Sequence, residues 1–266
     1  MKFERELEVA KEAARKAGEV MEHYQENGFS VERKKTYNDL VTEADHEAQE
    51  VIVETIEDEF PEDGFLAEEN DLRPEGEERV WVIDPIDGTK NFTHGFPFYC
   101  SSIALKEAGD VKVGAIISPP RNEFFTAVRG EGAWLDGEKL EVSEVGDLKD
   151  SLIIARISDM YEEERDIETD FLRDLLQQPS TFRRPGSAAL DLGQVAAGRA
   201  DGHALVAINE WDIAAGTLLI EEAGGTVRVQ DSDVVDGYLE IVDSNGRIQD
   251  SLMEVFDRYA RDQDRS

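Results

Sequence analysis

Apolar residues recur at helical spacing from residue 4 to 25, where Leu7, Ala10, Ala14, Ala17, Val20, Met21 and Tyr24 share one face. Asn27-Gly28 then ends the predicted helix as a C-cap pair. A second amphipathic stretch spans residues 43–59, with Ala44, Ala48, Val51, Ile52, Thr55 and Ile56 along one side. Thr42 stands where an N-cap is expected, and Asp45 falls in the first turn. The pattern next changes to short apolar runs. Residues 80–83, 98–105 and 111–117 read as strands, and Pro119-Pro120-Arg121-Asn122 turns the chain into a further strand at 124–128. Residues 134–140 read as a hairpin about Asp136-Gly137.

Beyond about Asp147 strands alternate with helices. A strand at 151–155 precedes a charged helix near 162–177, a short strand, a small-residue helix at 188–197 and another short strand. A helix at 212–223, strands at 226–229 and 239–242, and a last helix near 249–259 complete the pattern. This alternation predicts layered α/β architecture in residues 148–266, following an α+β half in residues 1–147, with no flexible linker between them. No repeat or low-complexity tract interrupts the chain.

Composition sharpens the picture. The chain has 266 residues, 40% of them hydrophobic, enough for a substantial core. Yet 61 Asp and Glu face 28 Lys and Arg, for a net charge of -33. Such a surface repels phosphate backbones and anionic lipid heads, so neither nucleic acid nor membrane is expected as a partner. A pocket whose metal ions reverse the local sign is the exception. Acid spread over nearly the whole chain resembles the surfaces of halophilic proteins. A single cysteine, Cys100, rules out an intrachain disulfide and suits a reducing compartment. The charged N-terminus has no apolar signal-like stretch, and no run reaches membrane-spanning length. A cytoplasmic location is expected.

The segment DPIDGTKNF, residues 84–92, is the most informative. Asp84 ends an apolar strand, where a charge needs a partner or a metal. Asp87 follows three residues later, Gly88 permits a tight turn, and Thr89 opens the next segment. Two carboxylates and an intervening carbonyl suit a hard cation, and exposed amides at Gly88 and Thr89 suit a phosphate oxygen. An ordinary Asp-Gly turn explains the segment equally well in isolation. Three more acidic stretches adjoin it in the sequence pattern: LVTEAD ending at Asp45, Glu68-Glu69, and WDIAAGTLLIEEAGG beginning at Trp211. Taken singly, each is better explained as a helix-start acid or a solvated charge.

Together, in this order, DPIDGT and WD-x-AAG resemble the inositol monophosphatase family, which includes archaeal fructose bisphosphatases and adenosine bisphosphate phosphatases; the resemblance runs from the first helix to Gly225. It implies a layered αβαβα sandwich and a homodimer. It also implies that Glu68, Asp84 and the Ile86 carbonyl hold one Mg²⁺, that Asp84, Asp87 and Asp212 hold a second, and that Glu68 helps to place a third. Thr89, hydrogen-bonded to Asp45, would orient and deprotonate the attacking water, making Glu68, Thr89 and Asp45 the catalytic set. Gly88 and Thr89 amides would hold the phosphate, while Asp87, Asp212, Lys34 and the Ala188 amide would meet the substrate. The implied activity is Mg-dependent hydrolysis of a small phosphorylated sugar or polyol, such as fructose 1,6-bisphosphate or inositol 1-phosphate. Lys90 keeps open a 3′-phosphoadenosine 5′-phosphate phosphatase, and a non-catalytic metal- or phosphate-binding regulator is the alternative from another class. His23, His46, His94 and His203 lack metal-ligand spacing. Two departures bear on substrate: Ala67 precedes the Glu-Glu pair, and Leu205 stands where inositol-specific members usually carry glutamate.

Overall fold

The structure is a computed structural model and describes residues 2–33, 40–69, 76, 78–155, 169, 173, 181–233 and 235–260. Lys34 and most of the charged helix expected at 162–177 lie outside the described residues. In chain order the first half contains α1 (Glu4–Asn27), β1 (Val31–Arg33), β2 (Leu40–Thr42), α2 (Glu43–Glu57), β3 (Gly64–Ala67), β4 (Arg79–Asp87) and α3 (Thr89–Thr93). It continues through β5 (Cys100–Glu107), β6 (Asp110–Ser118), β7 (Glu123–Val128), β8 (Gly132–Leu135) and β9 (Glu138–Lys139). The second half contains β10 (Leu152–Ala155), β11 (Thr181–Arg183), α4 (Ala188–Ala196), β12 (Gly202–Ile208), α5 (Glu210–Glu222), β13 (Thr226–Asp231), β14 (Leu239–Ser244) and α6 (Gln249–Ala260).

Alternation within the strands sorts side chains onto two faces of each sheet. Strands β3 to β9 form a seven-stranded sheet in sequence order, with only the β3–β4 pair parallel. On one face Trp81, Ile83, Ile103, Leu105 and Val113 share a buried cluster with Ala10, Ala14, Ala17 and Met21 of α1 and Ala48, Ile52 and Ile56 of α2. On the other face Val82, Ala104, Ile116 and Phe125 meet Leu192 and Val195 of α4 and Ala215, Leu218 and Leu219 of α5. That same cluster reaches Ile154, Leu205 and Ile241, the inner face of a five-stranded sheet ordered β11-β10-β12-β14-β13. Its outer face, Ile153, Ala204, Val206 and Val242, is covered by Leu252, Val255 and Phe256 of α6. The stack is therefore helix, sheet, helix, sheet, helix, the expected αβαβα arrangement.

Small residues set how tightly the middle layer sits. A Cβ on Gly114 would lie 3.1 Å from the Ala215 carbonyl, and one on Gly216 would lie 2.6 Å from Leu192 Cβ. The AAG of α5 thus lets its backbone rest on β6 and on α4. The segment between the two sheets is pinned as well. Asp201 accepts from the Leu152 amide at 2.6 Å and from the Ser143 hydroxyl, while Asn245 Nδ2 donates to Ser143 Oγ and the Val145 carbonyl, each at 2.8 Å.

The strand at 80–83 runs further than its apolar pattern suggests. It pairs with β5 as far as Asp87↔Cys100, with the register broken between Asp84 and Asp87. Pro85 sits in that irregularity, where a missing amide donor does no harm.

Net charge has a consequence for stability. With -33 charges the folded state repels itself over a Debye length of about 30 Å at 0.01 M salt, against about 3 Å at 1 M. Thermal melts in rising KCl should show a marked increase in Tm between those limits; a flat Tm would show that the acidic surface exerts little net repulsion.

Candidate metal centre

A regular strand points residues three apart to opposite faces. The break in register within β4 cancels that, and Asp84 and Asp87 come to the same place. Asp212 arrives from the first turn of α5, where the Asn209 amide donates to its Oδ2 at 3.0 Å in a capping box. One carboxylate oxygen from each of Asp84, Asp87 and Asp212 lies within 4.8 Å of the others. Glu68 follows β3, its amide bonded to the Ile83 carbonyl at 3.2 Å, so it stands beside Asp84 across the parallel pair.

The electrostatics of this cluster are strained. Burial pushes the Asp84 carboxyl well above its ordinary range, and the charges of Glu68, Asp87 and Asp212 add to the effect. Asp84 Oδ1 is fully buried and has no hydrogen-bond partner. A buried carboxylate oxygen left unpaired among other carboxylates is what a divalent cation would satisfy, and an all-oxygen donor set suits Mg²⁺ or Ca²⁺. The residues fit a hard metal ion.

Asp87 faces two ways. Its Oδ2 accepts from the Ser187 hydroxyl at 2.6 Å and the Ala189 amide at 2.7 Å, at the start of α4. Burial raises its pKa to about 6, and the bonds from Ser187, Ala189 and Ala188 hold the rise down. The Ala188 amide also lowers the Asp87 pKa, and Ala188, expected to meet a substrate hydroxyl, lines the cleft.

Asp45 is divided in the same manner. Its Oδ2 accepts from the Thr42 amide at 2.7 Å and the Thr42 hydroxyl at 2.5 Å, closing the capping box of α2. Its Oδ1 lies 3.4 Å from the Thr89 hydroxyl, which is also 3.1 Å from the Ile86 carbonyl. Burial raises Asp45 to about 7 against the two Thr42 bonds, so its proton is exchangeable near neutrality. Between these groups Gly88 has φ 89°, and a Cβ there would stand 3.1 Å from the Phe98 carbonyl and 3.2 Å from that of Gly186. A side chain at Gly88 would face both crowding and an unfavourable backbone conformation.

A cleft of about 330 Å³ opens on this corner, lined by Glu68, Asp87, Gly88, Thr89, Ala188 and Asp212. Arg184, Asn91 and Asp191 also line it and were not singled out as site residues from the sequence. Ser187, another omission, precedes a helix, and a serine there is a recognisable cap position. Of the histidines, His203 is a core residue bonded to Asp243 at 2.8 Å.

Raised carboxylate pKa values predict how metal and pH act on stability. Protonated Asp45 and Asp87 stabilise the metal-free fold fully below the unfolded carboxylate range near 4. That contribution is lost as pH rises through about 6 for Asp87 and about 7 for Asp45. EDTA-treated protein should therefore lose Tm between pH 5 and 8, and Mg²⁺ should raise Tm more at pH 8 than at pH 5. Equal Mg²⁺ shifts at both pH values would count against a cation bound by these carboxylates.

Comparison with known proteins places this geometry. Residues 3–259 match the Inositol monophosphatase family. The chain is 41% identical over 223 residues to Nus factor SuhB of Pasteurella multocida, covering 83% of this chain and 84% of that one. The extragenic suppressor protein suhB of Bartonella henselae superposes with a TM-score of 0.86 at 34% identity, over 94% of this chain and 97% of that one. An IMPase of Thermotoga maritima does so with a TM-score of 0.85 at 35% identity, over 97% and 99%. The Nus-factor relatives overturn the expectation that nucleic acid is excluded as a partner. Net charge misled there because it sums the whole surface, whereas a partner meets one patch. Among the described residues no helix is long and apolar enough to cross a membrane. The matched length, the shared fold and the DPIDGT and WD-x-AAG segments converge: the chain belongs to the inositol monophosphatase family.

Proposed function

We propose that this protein is a Mg-dependent phosphomonoesterase acting on small sugar or polyol phosphates, fructose 1,6-bisphosphate and inositol 1-phosphate among them. The observation that carries the reading is the convergence of Asp84, Asp87 and Asp212, with an orphaned buried oxygen on Asp84, beside the Thr89–Asp45 contact. Residues 1–147 supply Glu68, Asp84, the Ile86 carbonyl and Asp87 as ligands, and residues 148–266 complete the site with Asp212. A homodimer in a reducing, cytoplasmic setting is part of the proposal, as is a halophilic origin for the acidic surface.

Bound in two or three copies, Mg²⁺ supplies positive charge against a phosphate ester that otherwise repels an incoming nucleophile. The chain's own residues do the rest. The amides of Gly88 and Thr89, at the start of α3, hold a phosphate oxygen. The Thr89 hydroxyl accepts a proton from the attacking water as it passes its own to Asp45 Oδ1. Water oxygen bonds to phosphorus, the bond to the polyol oxygen breaks, and that oxygen takes up a solvent proton. Asp45, with a pKa of about 7, is matched to accepting a proton near neutrality. Glu68 completes the negative field that concentrates metal at the cleft.

A second reading comes from the relatives named Nus factor SuhB: a role in which partner binding, not turnover, is selected. Release of inorganic phosphate from fructose 1,6-bisphosphate or inositol 1-phosphate with Mg²⁺ separates the two, since a pure binding protein releases none.

Asp87→Asn is expected to lower turnover at least ~100-fold while keeping the fold. The asparagine oxygen can still accept from Ser187 and Ala189, which leaves its NH₂ facing the metal carboxylates. Near wild-type kcat at saturating Mg²⁺ in a folded variant would exclude Asp87 as a ligand.

Leu205 bears on substrate choice. It lines the cleft and cannot accept hydrogen bonds from ring hydroxyls. A site lacking such acceptors reads a polyol loosely. Fructose 1,6-bisphosphate should then be hydrolysed at least as efficiently as inositol 1-phosphate, and Leu205→Glu should move the kcat/KM ratio toward inositol 1-phosphate. Strong wild-type selectivity for inositol 1-phosphate would refute this, and dominance of 3′-phosphoadenosine 5′-phosphate would favour the Lys90-based alternative.

A further inference from the structure

Helix α2 packs against β4, and its buried side carries polar residues among apolar ones. Ala44, Ala48, Ile52 and Ile56 join the apolar cluster on that face of the larger sheet. Asp45 and Gln49 are also buried and stand one turn apart on the same side of the helix. A carboxamide in such a place is costly unless both its ends are bonded.

Gln49 is bonded at both ends, and to a single residue. Its Nε2 donates to the Glu69 carbonyl at 2.6 Å, and the Glu69 amide donates to its Oε1 at 2.9 Å. A side-chain amide presents donor and acceptor in one plane, so it meets a residue's N–H and C=O as a neighbouring strand does. With Gln49 3% and Glu69 4% exposed, water does not compete for these bonds.

The course of β4 shows why a helix residue takes this part. β3 is the edge strand of the larger sheet and runs parallel to β4, with Ala67 opposite Ile83. The Glu68 amide continues the ladder to the Ile83 carbonyl at 3.2 Å. In a parallel ladder the following rung runs back from the amide two residues beyond Ile83 to the Glu68 carbonyl. That position is Pro85, which has no amide hydrogen to give. Pairing with β4 therefore stops at Glu68, and Gln49 takes up the next peptide from the other side.

Glu68 lines the cleft together with Asp87 and Asp212. Its side chain is long, and where its carboxylate reaches depends on how firmly the backbone beneath it is held. The Ile83 carbonyl holds the Glu68 amide, and Gln49 holds both polar groups of the residue that follows. The same helix meets Thr89 through Asp45 Oδ1, so α2 bears on the acidic corner at two points one turn apart.

We propose that Gln49 is a positioning residue: by pairing the Glu69 peptide from α2, it keeps the Glu68 backbone in register with β4 and so sets the reach of the Glu68 carboxylate toward a cation held by Asp84, Asp87 and Asp212. The inference rests on the reading of that corner as a Mg²⁺ site and is independent of which phosphate ester is the substrate. Groups that orient a metal ligand from outside the coordination shell change metal affinity by about 10–100-fold when they are removed.

The test is calorimetric titration of Mg²⁺ into the full-length chain after EDTA treatment and dialysis, which needs no turnover. Wild type is compared with Gln49→Met, which keeps the length of the side chain and loses both bonds. Gln49→Asn, one methylene too short to bridge the Glu69 peptide but still polar, serves where circular dichroism shows that Gln49→Met does not fold. Each substitution should raise the Kd for Mg²⁺ by about tenfold or more. In a Glu68→Gln background, itself weakened, the same substitution should change Kd by less than about twofold, because residues that act through one another are not additive. If the Gln49 variants bind Mg²⁺ as tightly as wild type, the proposal is overturned and the metal centre stands. If they lose the same factor with and without the Glu68 carboxylate, Gln49 supports the fold at large and the proposal is again overturned. If wild type binds no Mg²⁺, the metal reading falls and the role of Gln49 falls with it.

Discussion

Like charges crowded into a buried place are the constraint on which this structure turns. Burial raises the cost of ionising Asp84 and Asp87; the charges of Glu68, Asp87 and Asp212 add to it at Asp84, and that of Glu68 at Asp87. A fold tolerates that where the carboxyls take up protons or a cation compensates, because an uncompensated buried charge outweighs most single stabilising interactions. The rest of the architecture can be understood as what is needed to hold these groups together. The parallel β3–β4 pair sets Glu68 beside Asp84, the bulge in β4 turns Asp87 to the same side, and α5 brings Asp212 between the sheets. The middle layer can approach closely enough because Gly114 and Gly216 leave space for neighbouring backbone and side chains.

Two carboxylates couple the site to the fold by dividing their oxygens. Asp87 gives one oxygen to the start of α4 and leaves the other for the cluster. Asp45 caps α2 with one oxygen and meets Thr89 with the other. Hydrogen bonds to a charged acceptor contribute about 1.5–3 kcal/mol each, so these ties fix both helices relative to β4 and α3. The Asp87 bonds thus tie the first half to α4, while the Asp45 bonds tie α2 to α3 within the first half.

Much of this was legible in sequence because it is local. The stripes of α1 and α2, the Thr42 cap and the Asp136-Gly137 hairpin all depend on neighbours within a turn or two, and they lie where the pattern put them. The carboxylates were legible only in combination, since each has an ordinary explanation alone. The extent of β4 was not legible. Pro85 and Gly88 mimic a turn, whereas pairing with β5 carries the strand on to Asp87. Ser187, Asn91 and Arg184 were missed for a related reason: their partners are distant in sequence, and no periodicity announces a side chain that works across the cleft. The error over nucleic-acid partners has the opposite origin, since a whole-chain property was applied to a local surface.

Division of labour between the two halves has a consequence for how such a site diversifies. The first half places Glu68, Asp84, Asp87 and Thr89 on or directly beside β3 and β4, where Asp84 and Asp87 are buried and a change of side chain would disturb the packing. The second half adds two carboxylates to the cleft, Asp212 and Asp191, the bonds of Ser187 and Ala189 to Asp87, and cleft wall: Arg184 on a connecting segment, and Leu205 and Ile208 on β12. Leu205 can differ from a glutamate without altering the acidic cluster, because its constraint is the inner face of the smaller sheet and not the cation. The acidic cluster and the apolar wall of the cleft thus rest on different elements. A change on the wall can therefore reshape the cleft while the acidic cluster stays as it is.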